Sequence, residues 1–288
     1  MGQLVFGAAS FVSPLVYARL VARLTSGETL HGLTGWLQSL TPATLPWVSL
    51  YWLFAVILVA VIIVVLAVRF PRLELQESER SGGLHSYREL LKNPRVYLFF
   101  LGMLCYTASE QGVANWISEF LRQYHGLDPQ TVGAPTVGRF WGYMSVGCLV
   151  GLFALKLWDA RDVLKVAGVL AIASLLAALF GSAGVALVAF PAVGFSISVM
   201  FSIVMSLALN SVDRYHGSFA GILCTGIAGG ALGPLIVGWL GDLVGLRLAL
   251  LFVCVTIAYI VGIAFWARPL VDNKRCSLRE LFHKKNRS

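Results

Sequence analysis

Eight blocks of apolar residues, each about twenty long, run along the chain with short polar breaks between them. They cover roughly residues 3–22, 48–68, 97–119, 134–156, 162–181, 183–207, 217–239 and 245–267. At about 1.5 Å of rise per residue, each block is long enough as a helix to cross the hydrocarbon of a bilayer. The blocks show neither the alternation of strands nor the narrow apolar stripe of a soluble helix. The pattern predicts an all-α, polytopic membrane helix bundle of about eight transmembrane helices. The fifth and sixth are joined only by Gly181–Gly184, "GSAG", which reads as a tight turn.

The polar intervals divide the chain unevenly. Two spans fall in residues 1–68, a polar loop in 69–96, six spans in 97–267 and a basic tail in 268–288. The loop segment "PRLELQESERSGGLHSYRELLKNP" mixes both charge signs and breaks at Gly82-Gly83. Its piece from Tyr87 to Leu91 is amphipathic and suited to the membrane surface.

Composition agrees with a membrane protein: 58% of the 288 residues are apolar and only 12% charged, too few to clothe a soluble protein. The net charge of +8 takes its meaning from topology. Seventeen Lys and Arg residues fall on the side that holds the 69–95 segment and the tail, and five on the other. By the positive-inside bias, both termini and the long loop are cytoplasmic, and the protein is integral to the plasma (inner) membrane. The basic tail then sets topology, and no nucleic-acid partner is expected.

Several function classes are excluded. The five cysteines (Cys105, Cys148, Cys224, Cys254, Cys276) and five histidines (His31, His85, His125, His216, His283) form no metal or redox spacing, so no metal or cofactor is expected. No histidine lies deep in a span, which argues against an intramembrane enzyme. There is no phosphate-binding glycine–lysine motif for direct ATP drive and no repeated filter-like segment for a channel.

The candidate chemistry is concentrated in "YTASEQGVANW", residues 106–116. Glu110 stands about fourteen residues into its span, where an ionised carboxylate facing hydrocarbon costs several kcal/mol. It is therefore expected to face the bundle interior or a polar cavity, although one buried interhelical hydrogen bond would also account for it. Tyr106 lies one turn earlier on the same face. Gln111 and Asn115 form a second pair four residues apart, and Trp116 offers a flat apolar surface. Carboxylates and amides for hydroxyls, with an aromatic face for a C–H surface, are what a sugar requires.

Other residues invite structural readings beside functional ones. Gln3 begins the first span, as a solute contact or as a helix-end residue near water. Trp141 serves either as an interfacial anchor or as a stacking surface, and Asn210 as an interface or gate residue. Gly226 and Gly230, and Gly229 and Gly233, are four apart and let another backbone approach closely, while Pro234 removes a helical hydrogen bond where the helix can bend. Asp242 closes that segment.

Three motifs carry a resemblance: "GQLVFGAASFVSPL" (Gly2–Leu15), "FWGYMSVG" (Phe140–Gly147) and "GIAGGALGPLIVGWLGD" (Gly226–Asp242). In order and spacing the chain resembles the major facilitator superfamily, in its fucose/glucose/galactose branch of sugar–proton symporters. The resemblance implies that the last six spans are the C-terminal half, that the first two are spans five and six, and that the family's first four helices are missing. It also implies alternating access around a midplane site for a monosaccharide, with a proton as possible companion, in a monomer. Amides on the branch's fifth helix make Gln3 a candidate sugar contact. The chain departs from the branch at Cys148, where an arginine is usual, and at Phe201-Ser202, where Phe-Pro is common. The branch's coupling carboxylates lie in the missing helices, so this chain alone is expected to transport poorly and to present a groove-like cavity. A non-transporting or truncated membrane scaffold protein is the alternative.

Overall fold

Each apolar block becomes helical because hydrocarbon offers no partner for a free backbone N–H or C=O, and a helix satisfies both internally. A computed structural model of the chain describes residues 2–25, 31–42, 44–45, 48–68, 83–268 and 270. It divides into two compact units, Ala9–Glu74 and the combination of Met1–Ala8 with Leu75–Ser288.

The smaller unit holds most of α1 (Gly2–Thr25), then α2 (Gly32–Leu40) and α3 (Val48–Ala67). Helix α2, which the apolar pattern does not predict, packs against α3. There Trp36 sets its ring edge-on to Trp52 at 6.3 Å, and Leu37 and Ser49 are buried. Beyond Ser49, α3 has no buried residue and is apolar around its whole circumference. Such a helix belongs in lipid or against other helices.

The larger unit opens with α4 (Leu84–Leu90), which overlaps the amphipathic piece read from the sequence. Helix α5 (Pro94–Ala114) starts three residues earlier than expected, because Asn93 caps it and Pro94 occupies its first turn. The Asn93 side chain accepts the Arg95 N–H at 3.0 Å. The expected third span is not one helix: the chain breaks at Asn115-Trp116 and resumes as α6 (Ile117–His125). Asp128 opens a short π-helical turn over Pro129–Gly133 by accepting the N–H groups of Gln130 (3.0 Å) and Thr131 (2.7 Å). There follow α7 (Ala134–Leu157), α8 (Ala160–Phe180), α9 (Ala183–Ile197), α10 (Met200–Leu209) and α11 (His216–Thr225). A 3₁₀ turn, Gly226–Ala228, leads into α12 (Gly229–Val244), and α13 (Leu246–Ala249) and α14 (Leu251–Trp266) complete the unit.

Among the described residues, six helical stretches are long and apolar enough to cross a membrane: Val48–Ala67, Pro129–Leu157, Ala160–Phe180, Ala183–Leu209, His216–Val244 and Leu246–Trp266. Of the two other expected spans, α1 is a helix of 24 residues and α5 falls outside this set because Thr107, Ser109, Glu110 and Gln111 dilute it.

Packing in the larger unit depends on close approach, since lipid tails give apolar helices no reason to prefer one another. Helix α7 lies against α9, and α5 against both α12 and α14. A Cβ on Gly147 would collide with the Phe195 carbonyl oxygen and the Ser198 hydroxyl, and one on Gly194 with the Phe140 carbonyl oxygen. Interhelical hydrogen bonds reinforce these contacts, each contributing about 0.6 kcal/mol on average in a membrane. Thr107 donates to the Gly226 carbonyl (2.9 Å), the Ser109 and Thr256 hydroxyls pair at 2.7 Å, and Tyr259 donates to the Leu98 carbonyl (2.9 Å).

Candidate functional site

Helix α5 turns two chemically different faces to its neighbours. Tyr106 and Glu110, one turn apart, share the first face, and the Tyr106 ring meets Phe201 of α10 edge-on at 5.6 Å. Tyr106 is fully buried and Glu110 is 5% exposed. The Tyr106 side chain is the polar neighbour that bears on the Glu110 carboxyl. The carboxyl's Oε1 is buried without a hydrogen-bond partner among the described residues, and none of their ion pairs includes Glu110. A carboxyl with spare acceptor capacity and no neutralising cation among the described residues is thus held inside the bundle.

The second face looks at α12. Asn115 donates to the Gln111 side-chain oxygen at 3.2 Å and to its carbonyl at 2.9 Å, so these two amides satisfy each other in part at the end of α5. Gln111 also lies beside Gly230. The Trp116 indole N–H donates to the Pro234 carbonyl at 3.1 Å, and its ring covers Gly238. The structure therefore separates the candidates of the 106–116 stretch. Tyr106 and Glu110 stand together toward α10, whereas Gln111, Asn115 and Trp116 stand toward α12, because successive residues on a helix point about 100° apart.

The glycines divide in the same way. Cβ atoms on Gly229 and Gly233 would strike the backbone of α5 at Leu104 and Ala108, and one on Gly226 would press on Met103. Gly230 meets only the flexible Gln111 side chain. Trp141 is buried, with its ring edge-on to Phe140 and to Phe6, both at 5.3 Å. Asp242 is exposed near the end of α12. Gln3 lies in α1, but its side chain falls outside what the structure describes.

A cleft of about 580 Å³ runs along α10 beside α11. Phe201, Ser202, Ser206 and Asn210 line it from α10, and His216 from α11. Of these, the sequence marks Asn210 as a candidate and Phe201-Ser202 as a departure from the branch; the Asn210 carbonyl accepts the Leu270 N–H at 2.8 Å. The spacing of Ser202, Ser206 and Asn210, each four residues apart in an otherwise apolar helix, is the signal that could have found the rest.

An all-helical bundle with six described stretches long and apolar enough to cross a bilayer, and with a carboxyl held in its interior, defines an integral membrane protein. The chain belongs to the Major Facilitator Superfamily, whose sequence profile matches residues 3–228. Members of that family are transporters, and the protein is not an enzyme. The chain is 32% identical over 218 residues to a glucose/galactose transporter of Brucella abortus biovar 1 (strain 9-941), covering 72% of this chain and 51% of that protein. A putative glucose/galactose transporter of Helicobacter pylori (strain ATCC 700392 / 26695) is 25% identical over 185 residues, covering 64% and 45%. The chain spans about half the length of these curated relatives. Its fold matches the crystal structure of the E. coli fucose:proton symporter FucP with a TM-score of 0.67 at 16% identity, over 93% of this chain and 69% of that one.

Proposed function

We propose that the protein takes part in secondary transport of a monosaccharide of the glucose, galactose or fucose type, by alternating access in the inner membrane with both termini cytoplasmic. Glu110 carries this reading. It is a buried carboxyl with an unpartnered oxygen in a membrane helix, beside the phenol of Tyr106, and such a pair accepts and donates hydrogen bonds to sugar hydroxyls. The relatives' names support the solute class, and the superfamily supports the mechanism, in which half-bundles rock about a site near the midplane. Close glycine contacts between α5 and α12 supply surfaces suited to that motion. Gln111 and Asn115 border the site from the α12 side, Trp116 and Pro234 set the spacing of the two helices, and Gln3 is a further contact. The protein acts as a monomer, with a proton as the companion ion.

The test is saturable binding of radiolabelled glucose, galactose and fucose to the purified chain in lipid nanodiscs, followed by gradient-driven uptake in proteoliposomes. Binding of at least one of these sugars is expected, weakened in the Glu110→Ala variant. A folded chain that binds none of the three refutes the monosaccharide reading and favours a membrane scaffold protein without transport.

A further inference from the structure

Helices α7 and α8 follow one another in sequence yet hardly touch, because each lies along α9 instead. Small residues set this arrangement. Gly147 lets α7 close on Phe195 and Ser198, and Gly151 lets it close on Val199. On α8, a Cβ at Gly168 would collide with the Val261 side chain of α14, so that helix is drawn the other way. The result is a wedge between α7 and α8 with the end of α9 as its floor.

The wedge is a cleft of about 360 Å³, within the range of small-ligand sites. Its walls include Val150 and Ala154 of α7 and Val166 and Leu170 of α8, with Phe195 and Val199 on the floor. Val150, Val166 and Leu170 are about half exposed, so the rim is open. The two serines on the floor, Ser196 and Ser198, donate to the carbonyls of Ala192 (2.8 Å) and Phe195 (2.7 Å), and neither offers its proton to an occupant. Both walls belong to stretches long and apolar enough to cross the membrane, Pro129–Leu157 and Ala160–Phe180, so the medium at the rim is lipid. Water finds too few partners in such a cleft, and an empty one forfeits dispersion contacts along its walls. Hydrocarbon gains those contacts, and in a bilayer it arrives as an acyl chain.

At one end the lining changes character. Trp158, which is exposed, and Asp162 border the cleft where α7 gives way to α8. An exposed indole at the end of a membrane stretch suits the headgroup level. The Lys165 ammonium donates to one Asp162 carboxylate oxygen at 3.0 Å and stands 5.2 Å from the Phe265 ring centroid. The other oxygen has no partner among the described residues, and the pair is open to solvent. Opposite charges side by side complement a headgroup that carries a primary amine and a phosphate, the amine donating to Asp162 and the phosphate accepting from Lys165. We propose that the α7–α8 cleft is a phospholipid site, with an acyl chain in the wedge and an ethanolamine headgroup at Asp162 and Lys165. The site depends on the membrane setting alone and not on the transport reading.

Native mass spectrometry of the full chain, purified in mild detergent, tests it. Phosphatidylethanolamine, phosphatidylcholine and phosphatidylglycerol with identical acyl chains are titrated separately. The ethanolamine lipid is expected to be retained severalfold more than either of the others. Asp162→Asn should remove that preference and leave the three lipids retained alike. Val166→Trp, which fills the wedge from a position that is 59% exposed, should lower retention of all three severalfold. Val188→Trp, at an apolar position of α9 that is 67% exposed and outside the lining, should leave retention unchanged. Equal retention of the three lipids by the original chain, or a preference for phosphatidylglycerol, overturns the proposal. So does a preference that survives Asp162→Asn, and so does equal loss of lipid in the Val166→Trp and Val188→Trp variants.

Discussion

Glu110 combines burial, an unpartnered oxygen and a phenol neighbour on the face of α5 that looks toward α10. Replacing it with alanine removes charge and acceptor together, and sugar binding is expected to weaken by about 1–3 kcal/mol, the cost of losing a hydrogen bond to a charged group. Glu110→Gln keeps size and one acceptor and should bind more nearly like the original, as titration calorimetry or labelled-sugar binding would show. Trp116 should respond differently. Its indole N–H is used by Pro234, so Trp116→Phe is expected to lower thermal stability by about 0.5–1.5 kcal/mol and leave sugar binding unchanged. A loss of binding with no loss of stability would make Trp116 a solute contact instead. Outside the membrane, hydrogen bonds from the Thr131 backbone and hydroxyl, with that of the Gln130 backbone, hold the Asp128 carboxyl below its usual range. A depressed carboxylate stabilises the fold above its unfolded value, near 3.9, and loses that contribution as pH falls through the folded one. The difference in melting temperature between the original and Asp128→Ala should therefore be constant above about pH 5 and shrink on acidification toward pH 3. A difference that does not change with pH would show that the cap works without its charge.

Among helices, the glycines of α12 have unequal consequences although they look alike in the sequence. Gly229 and Gly233 press on the α5 backbone, which yields only if the whole helix moves, whereas Gly230 faces the Gln111 side chain at its Cγ, a looser contact. Gly229→Ala and Gly233→Ala are expected to destabilise by about 1–3 kcal/mol, as overpacking does, and Gly230→Ala by clearly less. Thermal unfolding of the purified variants checks the order, and equal losses at 229 and 230 would contradict the packing described here. Helix ends are written in the sequence more plainly than helix faces, although the apolar blocks alone place the starts of α5 and α8 late, at 97 and 162. Asn93-Pro94 and Asp159 cap α5 and α8 by ordinary local chemistry. The break at Asn115-Trp116 carried no such mark. Neither residue forbids a helix, and the interruption coincides with the tertiary bond from Trp116 to the Pro234 carbonyl.

For the molecule as a whole, the prediction concerns orientation. The distribution of seventeen basic residues against five puts the tail with Cys276 in the cytoplasm. A membrane-impermeant thiol reagent should therefore leave Cys276 unmodified in intact cells and label it in inside-out vesicles. Labelling from outside would invert the topology. The sequence by itself determined the membrane setting, the approximate extent of the helices, the charge bias across the bilayer and the superfamily. All of these depend on composition and order along the chain, which length and hydropathy express directly. Only the tertiary structure decided which residues face one another. It separated Tyr106 and Glu110 from Gln111 and Trp116, chose Gly229 and Gly233 over Gly230, and joined Ser202, Ser206 and His216 in one cleft. In water, an apolar stripe tells which side of a helix is buried. In a bilayer, the lipid-facing and protein-facing sides are both apolar, so orientation is set by close backbone contacts and a few hydrogen bonds that appear only once the helices are packed.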